Sequence, residues 1–299
     1  MNLLKPPALR IGDTIGIIAL SGVVEDKAAV LRASEYFKSV GFNVVLSENI
    51  YDAKRYLAGD DDKKISELHR FFSDDNINAV ICVRGGYGAI RLINKIDYAL
   101  LRRNPKIFCG FSDVTALSLM MLKRAGLITY SAPMVLSDFG IEHRSEFTIS
   151  NFFSVVENNH DIKLKNEGKI YKNGTAEGIF WGGNLATVVS LCGQDFIPDE
   201  PFIFFAEDLN EPVYKVDKMF SQLFNITEFR NNISALVLGD FLNIDNPVWL
   251  DDLFEEIAVQ YDIPVISGFK FTHGTDKLTV PIGGNASVID GELLINSRC

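Results

Sequence analysis

The first half of the sequence alternates short apolar runs with longer amphipathic segments, and this alternation limits the possible folds more than any other feature. Strands separated by helices favour a parallel sheet that is covered by helices on both faces. The first half is therefore predicted to be an α/β sandwich, in which a ligand would bind beyond the carboxyl ends of the strands. Apolar runs of strand length lie at 14–20, 42–46, 77–83, 106–109 and 127–131, and segments with helical periodicity at 25–40, at 60–73 and after residue 112.

The second half begins after a polar stretch at 157–174, which is rich in Asn, Lys and Gly. We interpret this stretch as a linker or a surface hairpin, so we expect domains at 1–160 and 176–299 with a linker at 161–175. The second domain is predicted to be mixed α/β with a β-rich end, because its final segment holds several glycines and only short apolar runs. Its predicted elements are a strand leading into 181–183, helices at 184–191, 213–224 and 249–261, and strands at 202–206 and 235–238.

The composition disfavours several classes of protein. Lys and Arg number 29 and Asp and Glu number 39 among the 299 residues, so the net charge is −10. This charge disfavours binding to nucleic-acid polymers or to anionic membranes, since both require a basic surface. No signal-peptide pattern and no apolar segment of membrane-spanning length is present, which predicts a soluble cytoplasmic protein. The four cysteines have no C-x-x-C spacing and are expected to be reduced thiols; they are Cys82, Cys109, Cys192 and Cys299.

Ser112 lies where the strand at 106–109 passes into a helix. Gly110 allows a sharp turn there, and the positive end of the helix would stabilise negative charge near the serine. The corner resembles the nucleophile elbow of serine hydrolases, although Val114 occupies the place of the second glycine in G-x-S-x-G. Because serine is also a preferred N-cap residue, this stretch alone fits either a nucleophile or a helix cap.

A serine nucleophile needs a base, and His273 is the best candidate among the four histidines. It follows an apolar strand and precedes Gly-Thr-Asp, so it lies in a loop that a strand enters directly. His69, His143 and His160 lie in polar surroundings and are expected to be solvated. The residues around His273 also fit a histidine with a purely structural role.

Glu207 is the candidate for the acid that orients the base, because it ends the apolar strand at 202–206 and its carboxylate can face a cleft. Asp208 and Glu211 follow closely, so the alternative is a solvated acidic turn.

The glycine loop at 84–88, RGGYG, offers unhindered backbone N–H groups as donors to an oxyanion. That loop has neither the G-x-G-x-x-G spacing nor a Walker lysine, so a nucleotide site is disfavoured. Since no paired His or Cys ligand set is present, no metal is predicted.

The sequence resembles the serine LD-carboxypeptidases, which have the microcin-immunity peptidases as relatives. Five motifs in the same order carry this resemblance, and the opening segment RIGDTIGIIALSG at 10–22 also fits, so the resemblance covers nearly the whole chain. The five motifs are GFSDVTAL around Ser112, RGGYG at 84–88, FWGGNLATVVSLCG at 180–193, FAEDLNEPVYKVDKMFSQL at 205–223 and FTHGTDKLTVPIGG at 271–284.

The resemblance implies a flavodoxin-like N-terminal sandwich, a C-terminal domain with β-barrel character, and an active site between them, commonly in a homodimer. It implies a triad of Ser112, Glu207 and His273, with an oxyanion hole formed by backbone N–H groups of Gly86 and Asp113. Its nearest branch cleaves the bond between the L-centre of meso-diaminopimelate and a terminal D-alanine in cytoplasmic murein fragments. A murein tetrapeptide is therefore the expected substrate, and no cofactor is expected. One departure from relatives is Thr272, which stands where they often have glycine.

Further candidate substrate contacts follow from the expected chemistry. A carboxypeptidase must bind a terminal carboxylate, and the guanidinium of Arg84 and the amides of Gly85 and Gly86 are the available donors. Trp181 either stacks on a nucleotide base, as the immunity branch would need, or is ordinary packing. Asn184, close to Trp181, is a further candidate.

Three alternatives stay open at this stage. In the first, the enzyme hydrolyses a microcin-like aminoacyl nucleotide. In the second, Cys109 serves as the nucleophile of an amidotransferase-like protein, although its position within a strand predicts a buried thiol. In the third, the protein binds a small ligand between its halves without catalysis, and Ser112 is only a helix cap.

Overall fold

The computed structural model describes residues 3–158 and 161–296. His160 and Cys299, interpreted above as a solvated histidine and a free thiol, lie outside these residues. In chain order the strands are β1 Thr14–Ile18, β2 Asn43–Leu46, β3 Ala79–Cys82, β4 Ile107–Cys109, β5 Thr129–Ser131, β6 Ile162–Lys165, β7 Ile170–Lys172, β8 Thr175–Asn184, β9 Phe202–Leu209, β10 Ile233–Leu242, β11 Val265–Ser267, β12 Val280–Ile282, β13 Asn285–Ile289 and β14 Glu292–Ile295. The α-helices are α1 Lys27–Ser39, α2 Asp61–Ser73, α3 Tyr98–Arg103, α4 Thr115–Ala125, α5 Glu146–Glu157, α6 Leu185–Ser190, α7 Val213–Phe224, α8 Thr227–Asn232 and α9 Pro247–Gln260.

The first sheet has the strand order β2-β1-β3-β4-β5-β12, and its first five strands are parallel. The order 2-1-3-4-5 is that of flavodoxin-like sheets, so this part of the prediction is confirmed. Every residue of β3 and β4 is buried, as expected for central strands covered on both faces. Ligand-binding loops in such sheets follow the carboxyl ends of the strands, and the segments after β3 and β4 contain the glycine loop and Ser112.

Helix α4 is buried on almost all sides. Nine of its eleven residues are buried, because it contacts β5 of the first sheet as well as β8 and α6 of the second half. A helix that is apolar around its whole circumference requires such a position between two layers. It ends at Gly126, whose left-handed φ of 70° matches the usual C-terminal glycine of a helix.

The second sheet has eight strands in the order β6-β14-β13-β8-β9-β10-β11-β7. Strands β8 to β11 are parallel to one another, and the flanking pairs are antiparallel. Its two edge strands, β6 and β7, are consecutive in the chain, and the four residues between them span at most roughly 15 Å. The sheet therefore curls into a half-barrel, which confirms the predicted barrel character.

Residues 161–175 differ from the predicted linker or hairpin. They contain β6 and β7, which do not pair with each other but form the opposite edges of the second sheet. No residue of either strand is fully buried, and β6 alternates between exposed and partly buried positions, as expected for edge strands that face solvent. The polar composition that suggested a linker reflects this exposure.

The two halves of the chain are joined more closely than the proposed domain boundaries imply. Strand β12 belongs by sequence to the second half, yet it pairs antiparallel with β5 and completes the first sheet. One hydrophobic core also runs through both halves, from α4 to the central strands of the second sheet. Other departures from the sequence predictions are local: helices α3, α5 and α8 were not predicted.

Candidate active site

Ser112 occupies a strained corner after β4. Its φ of +61° lies in the left-handed region. Residues other than glycine rarely adopt this conformation, because it costs them on the order of 1 kcal/mol or more. It begins a 3₁₀ turn, Ser112–Val114, which leads into α4. The cap positions of this turn and of α4 are held by Phe111 and Val114, and neither start has a side-chain capping hydrogen bond. Helix capping therefore does not explain the serine.

The glycine loop at 84–88 packs directly against Ser112. A Cβ atom on Gly85 would lie 2.8 Å from Ser112 Cβ and 2.9 Å from its Oγ, and 3.3 Å from the backbone nitrogen of Asp113. Only glycine permits this approach. Gly86, with a φ of +110°, lines a cleft together with Ser112 and Asp113. The structure thus brings the predicted oxyanion donors to the serine.

The Asp113 side chain ties the glycine loop to the start of α4. Its Oδ2 accepts a hydrogen bond from the Ala89 backbone N–H at 2.9 Å. Burial raises the pKa of Asp113, while the hydrogen bond from Ala89 opposes that rise. The contact fixes the end of the glycine loop relative to the corner that carries Ser112.

His273 and Glu207 form a close pair in the same region. His273 Nδ1 lies 2.7 Å from Glu207 Oε2, and the side chains are only 16% and 5% exposed. If Glu207 is ionised, Nδ1 must donate, which leaves Nε2 as the proton-accepting nitrogen. The imidazole also meets the ring of Phe111 edge to face, with centroids 5.0 Å apart. Its orientation is therefore fixed by a carboxylate and by the residue that precedes Ser112.

Ser112 and His273 line the same cleft. Within the described residues no hydrogen bond joins Ser112 to the imidazole, and such bonds often tighten only when substrate binds. Proton transfer would require the two side chains to approach to hydrogen-bonding distance.

The loop that carries His273 is fastened to the first half of the chain. We call residues 271–279 the base loop. Thr148 on α5 donates from Oγ1 to the Thr275 carbonyl at 2.9 Å and accepts from the Lys277 N–H at 2.8 Å. Asn151 Oδ1, also on α5, accepts from the Thr279 N–H at 2.6 Å. The base loop thus takes its position from the domain that carries Ser112.

The other candidate substrate contacts lie in different surroundings: one in the cleft, one half-buried beside it in the glycine loop, and one in the core. Asn184 lines the cleft and caps the start of α6, where its side-chain oxygen accepts a hydrogen bond from the Thr187 N–H. Arg84 is half-buried, and its guanidinium donates to the Val23 carbonyl at 3.2 Å. Trp181 is fully buried, with its ring packed on Phe202 and Phe204 at centroid distances of 5.0 and 5.5 Å. Because this indole lies in the core and not in the cleft, stacking on a ligand base is not supported here.

Sequence reasoning missed the role of Asp208, which it treated as part of a solvated turn. The residue is only 3% exposed and lines the cleft, where its carboxylate accepts hydrogen bonds from Asn184 Nδ2 at 3.0 Å and from the Ala186 N–H at 2.9 Å. Burial raises its pKa to about 6, although hydrogen bonds from Leu209 and Ala186 oppose the change. The signal available in the sequence was the apolar Leu209, directly after Asp208, because β9 continues through the two acidic residues to include it.

Two further predictions about single residues were tested by the structure. His69, expected to be solvated, is partly buried and accepts the Asp97 N–H at 2.9 Å, at the start of α3. Cys109 is fully buried in β4, and burial raises the pKa of its thiol well above the usual value. A protonated thiol inside a sheet is a poor nucleophile, so the amidotransferase alternative loses its candidate.

Ser112 and His273 line one cleft and His273 is paired with Glu207, and this arrangement on a two-sheet α/β fold is typical of the class of serine hydrolases. The chain belongs to the serine LD-carboxypeptidase family: the family models for the LD-carboxypeptidase N-terminal and C-terminal domains match residues 15–132 and 177–288. No helix in the described part of the chain has the length and apolar character needed to cross a membrane.

Individual relatives match this chain over almost their entire length. The probable murein peptide carboxypeptidase of Bacillus subtilis (strain 168) is 32% identical, covering 96% of this chain and 92% of the relative. The crystal structure of the muramoyltetrapeptide carboxypeptidase from Oxalobacter formigenes has a TM-score of 0.87 and 31% identity, covering 95% of this chain and 98% of that one. The MccF-like protein from Bacillus anthracis str. Ames has a TM-score of 0.92 and 27% identity, covering 99% and 100%.

Proposed function

We propose that this enzyme hydrolyses the LD bond that releases the terminal D-alanine from murein tetrapeptide. Ser112 is the nucleophile, His273 the general base and Glu207 the acid that orients the base. The observation that carries the proposal is the 2.7 Å contact between His273 Nδ1 and Glu207 Oε2, at the edge of the cleft that Ser112 lines. A buried carboxylate on one imidazole nitrogen leaves the other for the serine.

The proposed reaction passes through an acyl-enzyme. Ser112 Oγ attacks the carbonyl carbon before the terminal D-residue while His273 Nε2 takes the hydroxyl proton. The backbone N–H groups of Gly86 and Asp113 stabilise the oxyanion. His273 then gives the proton to the departing amine of D-alanine, and water activated by the same imidazole hydrolyses the ester.

The terminal carboxylate of the substrate needs donors of its own, because an unpaired carboxylate in a partly buried cleft is costly. Because the Gly86 N–H is assigned to the oxyanion, the candidates are the Gly85 amide of the glycine loop and the Arg84 guanidinium beside it. Asn184 and Asp208 line the same cleft and are hydrogen-bonded to each other, and polar groups of the peptide stem would bind beside them.

The proposed setting is peptidoglycan recycling in the cytoplasm by a homodimer that uses no cofactor. A net charge of −10 supports a small substrate over a nucleic-acid polymer or a membrane surface. The names of the murein relatives support the substrate class.

Incubation with purified murein tetrapeptide tests the proposal, with mass spectrometry of the products. We expect loss of one alanine residue from the tetrapeptide, which leaves the tripeptide, and no loss with Ser112→Ala. An intact tetrapeptide in the presence of folded wild-type enzyme would contradict the substrate assignment.

A second candidate is supported by the similarity to the MccF-like structure. In this case the same triad would cleave an aminoacyl nucleotide of the microcin type. Parallel assays of a murein tetrapeptide and an aminoacyl sulfamoyl nucleoside, the class of ligand bound in the related MccF structures, distinguish the two, since the preferred substrate will have the higher kcat/KM. The buried position of Trp181 removes one group that could have stacked on the base.

A further inference from the structure

Lys277 is a buried lysine on the base loop, four residues after His273. Its side chain is 5% exposed, and its Nζ donates to Asp138 Oδ1 at 2.8 Å and to the Gly274 carbonyl. Asp138 is equally buried, with a side chain that is 3% exposed. We propose that Lys277 is a positioning residue that sets the approach of His273 to Ser112; this rests on the proposed roles of those two residues.

The ammonium group of Lys277 contacts the immediate neighbours of both residues. Gly274, whose carbonyl it binds, follows His273 directly. The Phe111 ring, which precedes Ser112, lies 5.1 Å from Nζ and also meets the imidazole edge. A single side chain therefore connects the backbone beside the base to the corner that carries the serine.

Asp138 gives Lys277 a fixed point on the first half of the chain. It lies in a π-helical turn, Val135–Phe139, and its second oxygen accepts from the Met134 N–H at 2.9 Å and the Ser137 hydroxyl at 2.5 Å. Turns of this kind are rare and occur often at functional sites. These two hydrogen bonds fix the Asp138 carboxylate within its own segment. The ion pair with this fixed carboxylate therefore restricts the movement of the Lys277 ammonium group.

Stability alone does not explain this ion pair. Buried ion pairs lose much of their attraction to desolvation, and apolar replacements of both partners are often neutral or stabilising. What an apolar pair cannot supply is the donor to the Gly274 carbonyl. Since Ser112 and His273 are not hydrogen-bonded in this structure, the position of the base loop decides how readily they meet.

The test compares Lys277→Met with the double variant Lys277→Met/Asp138→Asn. In the single variant a buried carboxylate is left without its partner, which can by itself destabilise the fold. The double variant removes both charges, so a purely structural defect is repaired in it. We expect the melting temperature to recover in the double variant while kcat stays on the order of 100-fold below wild type and KM changes less than about threefold.

A fluorophosphonate probe gives a readout that does not depend on the peptide substrate, because its rate of reaction with Ser112 depends on activation by His273. Lys106→Met is the matched control: Lys106 is also buried and binds two backbone carbonyls, those of Asp74 and Ile77, at the amino end of β4. We expect slow labelling in both Lys277 variants and wild-type labelling rates in Lys106→Met.

The outcomes separate the two proposals. Normal labelling and normal kcat in the folded double variant would overturn the role of Lys277 while leaving the triad intact. A wild-type enzyme that is not labelled at Ser112 would overturn the nucleophile assignment and, with it, the inference about Lys277. Normal labelling of wild type with no hydrolysis of murein tetrapeptide would refute only the substrate, and the labelling rates would still decide the role of Lys277.

Discussion

Gly85 and Ser112 are packed so closely that no side chain fits between them. A Cβ at residue 85 would lie 2.8 Å from the serine Cβ, a distance that real Cβ atoms do not reach, and 2.9 Å from its Oγ. The glycine loop therefore forms one wall of the cleft. It can lie this close to Ser112 only because residue 85 has no side chain. Ser112 has its positive φ at the point of this close packing.

Gly85→Ala should lower kcat/KM on the order of 100-fold, because the added methyl group displaces either the nucleophile or the oxyanion donors. Steady-state kinetics on the murein peptide measure this effect. Gly193→Ala is the control: its φ is also unfavourable at +96°, but no atom lies within 4 Å of the added Cβ. That variant should lose a little stability and keep its activity, and an equal loss in both variants would show that close packing at Gly85 is not the cause.

Ser112→Ala should abolish turnover in a folded protein, and Ser112→Gly should do the same while being more stable than the alanine variant by about 1 kcal/mol. The difference is expected because glycine adopts a φ of +61° without the steric cost that alanine incurs. Product analysis and denaturant unfolding measure the two quantities. Measurable turnover by either variant would refute the nucleophile role.

Glu207→Gln should reduce kcat by about 10²- to 10⁴-fold with little change in KM. The amide keeps the shape of the side chain but no longer favours a proton on His273 Nδ1 or stabilises an imidazolium. Glu211→Gln, in the same acidic segment but paired with Lys215, is the control and should behave as wild type. An effect of Glu207→Gln confined to KM would mean that the residue binds substrate instead of orienting the base.

Asp208→Asn should change the pH dependence of stability. The pKa of Asp208 is raised by burial from 3.8 to about 6 in the folded protein, so the wild type loses stability as pH rises from about 4 to about 6. The variant lacks this titration, and its stability relative to wild type should therefore increase by roughly 2 to 3 kcal/mol between pH 4 and pH 7. Urea unfolding at both pH values measures the difference. A constant difference would show that the carboxyl group has an ordinary pKa.

Replacing the terminal carboxylate of the substrate by an amide should lower kcat/KM by about tenfold to a thousandfold, the loss expected when a charged hydrogen-bond acceptor is removed. The Gly85 amide and the Arg84 guanidinium would then lack their ionic partner. Competition between the free acid and the amide, followed by mass spectrometry, gives the ratio directly. Equal cleavage of both would identify an amidase or endopeptidase and would favour the microcin-type alternative.

The sequence by itself determined the strands, the main helices around them and the parallel sheet of the first half, but not α3 and α5. Apolar runs and helical periodicity record how each segment is buried, and short loops between them leave few topologies open. It also indicated Ser112, Glu207 and His273 as candidates, since each ends or follows an apolar strand. The family motifs predicted that these three residues, distant in sequence, lie together.

Only the tertiary structure decided which segments pair and which side chains face the cleft. The polar strands β6 and β7 resembled a linker because their partners, β14 and β11, lie far away in the sequence. The structure alone decided, for the same reason, that Trp181 packs in the core and that Asp208 is buried in the cleft wall instead of lying in a solvated turn. Pairing across long separations is fixed by the burial gained when distant surfaces meet, and local patterns do not record this gain. The contact of Lys277 with Asp138, which joins the base loop to the first half, is likewise a long-range contact that only the tertiary structure decided.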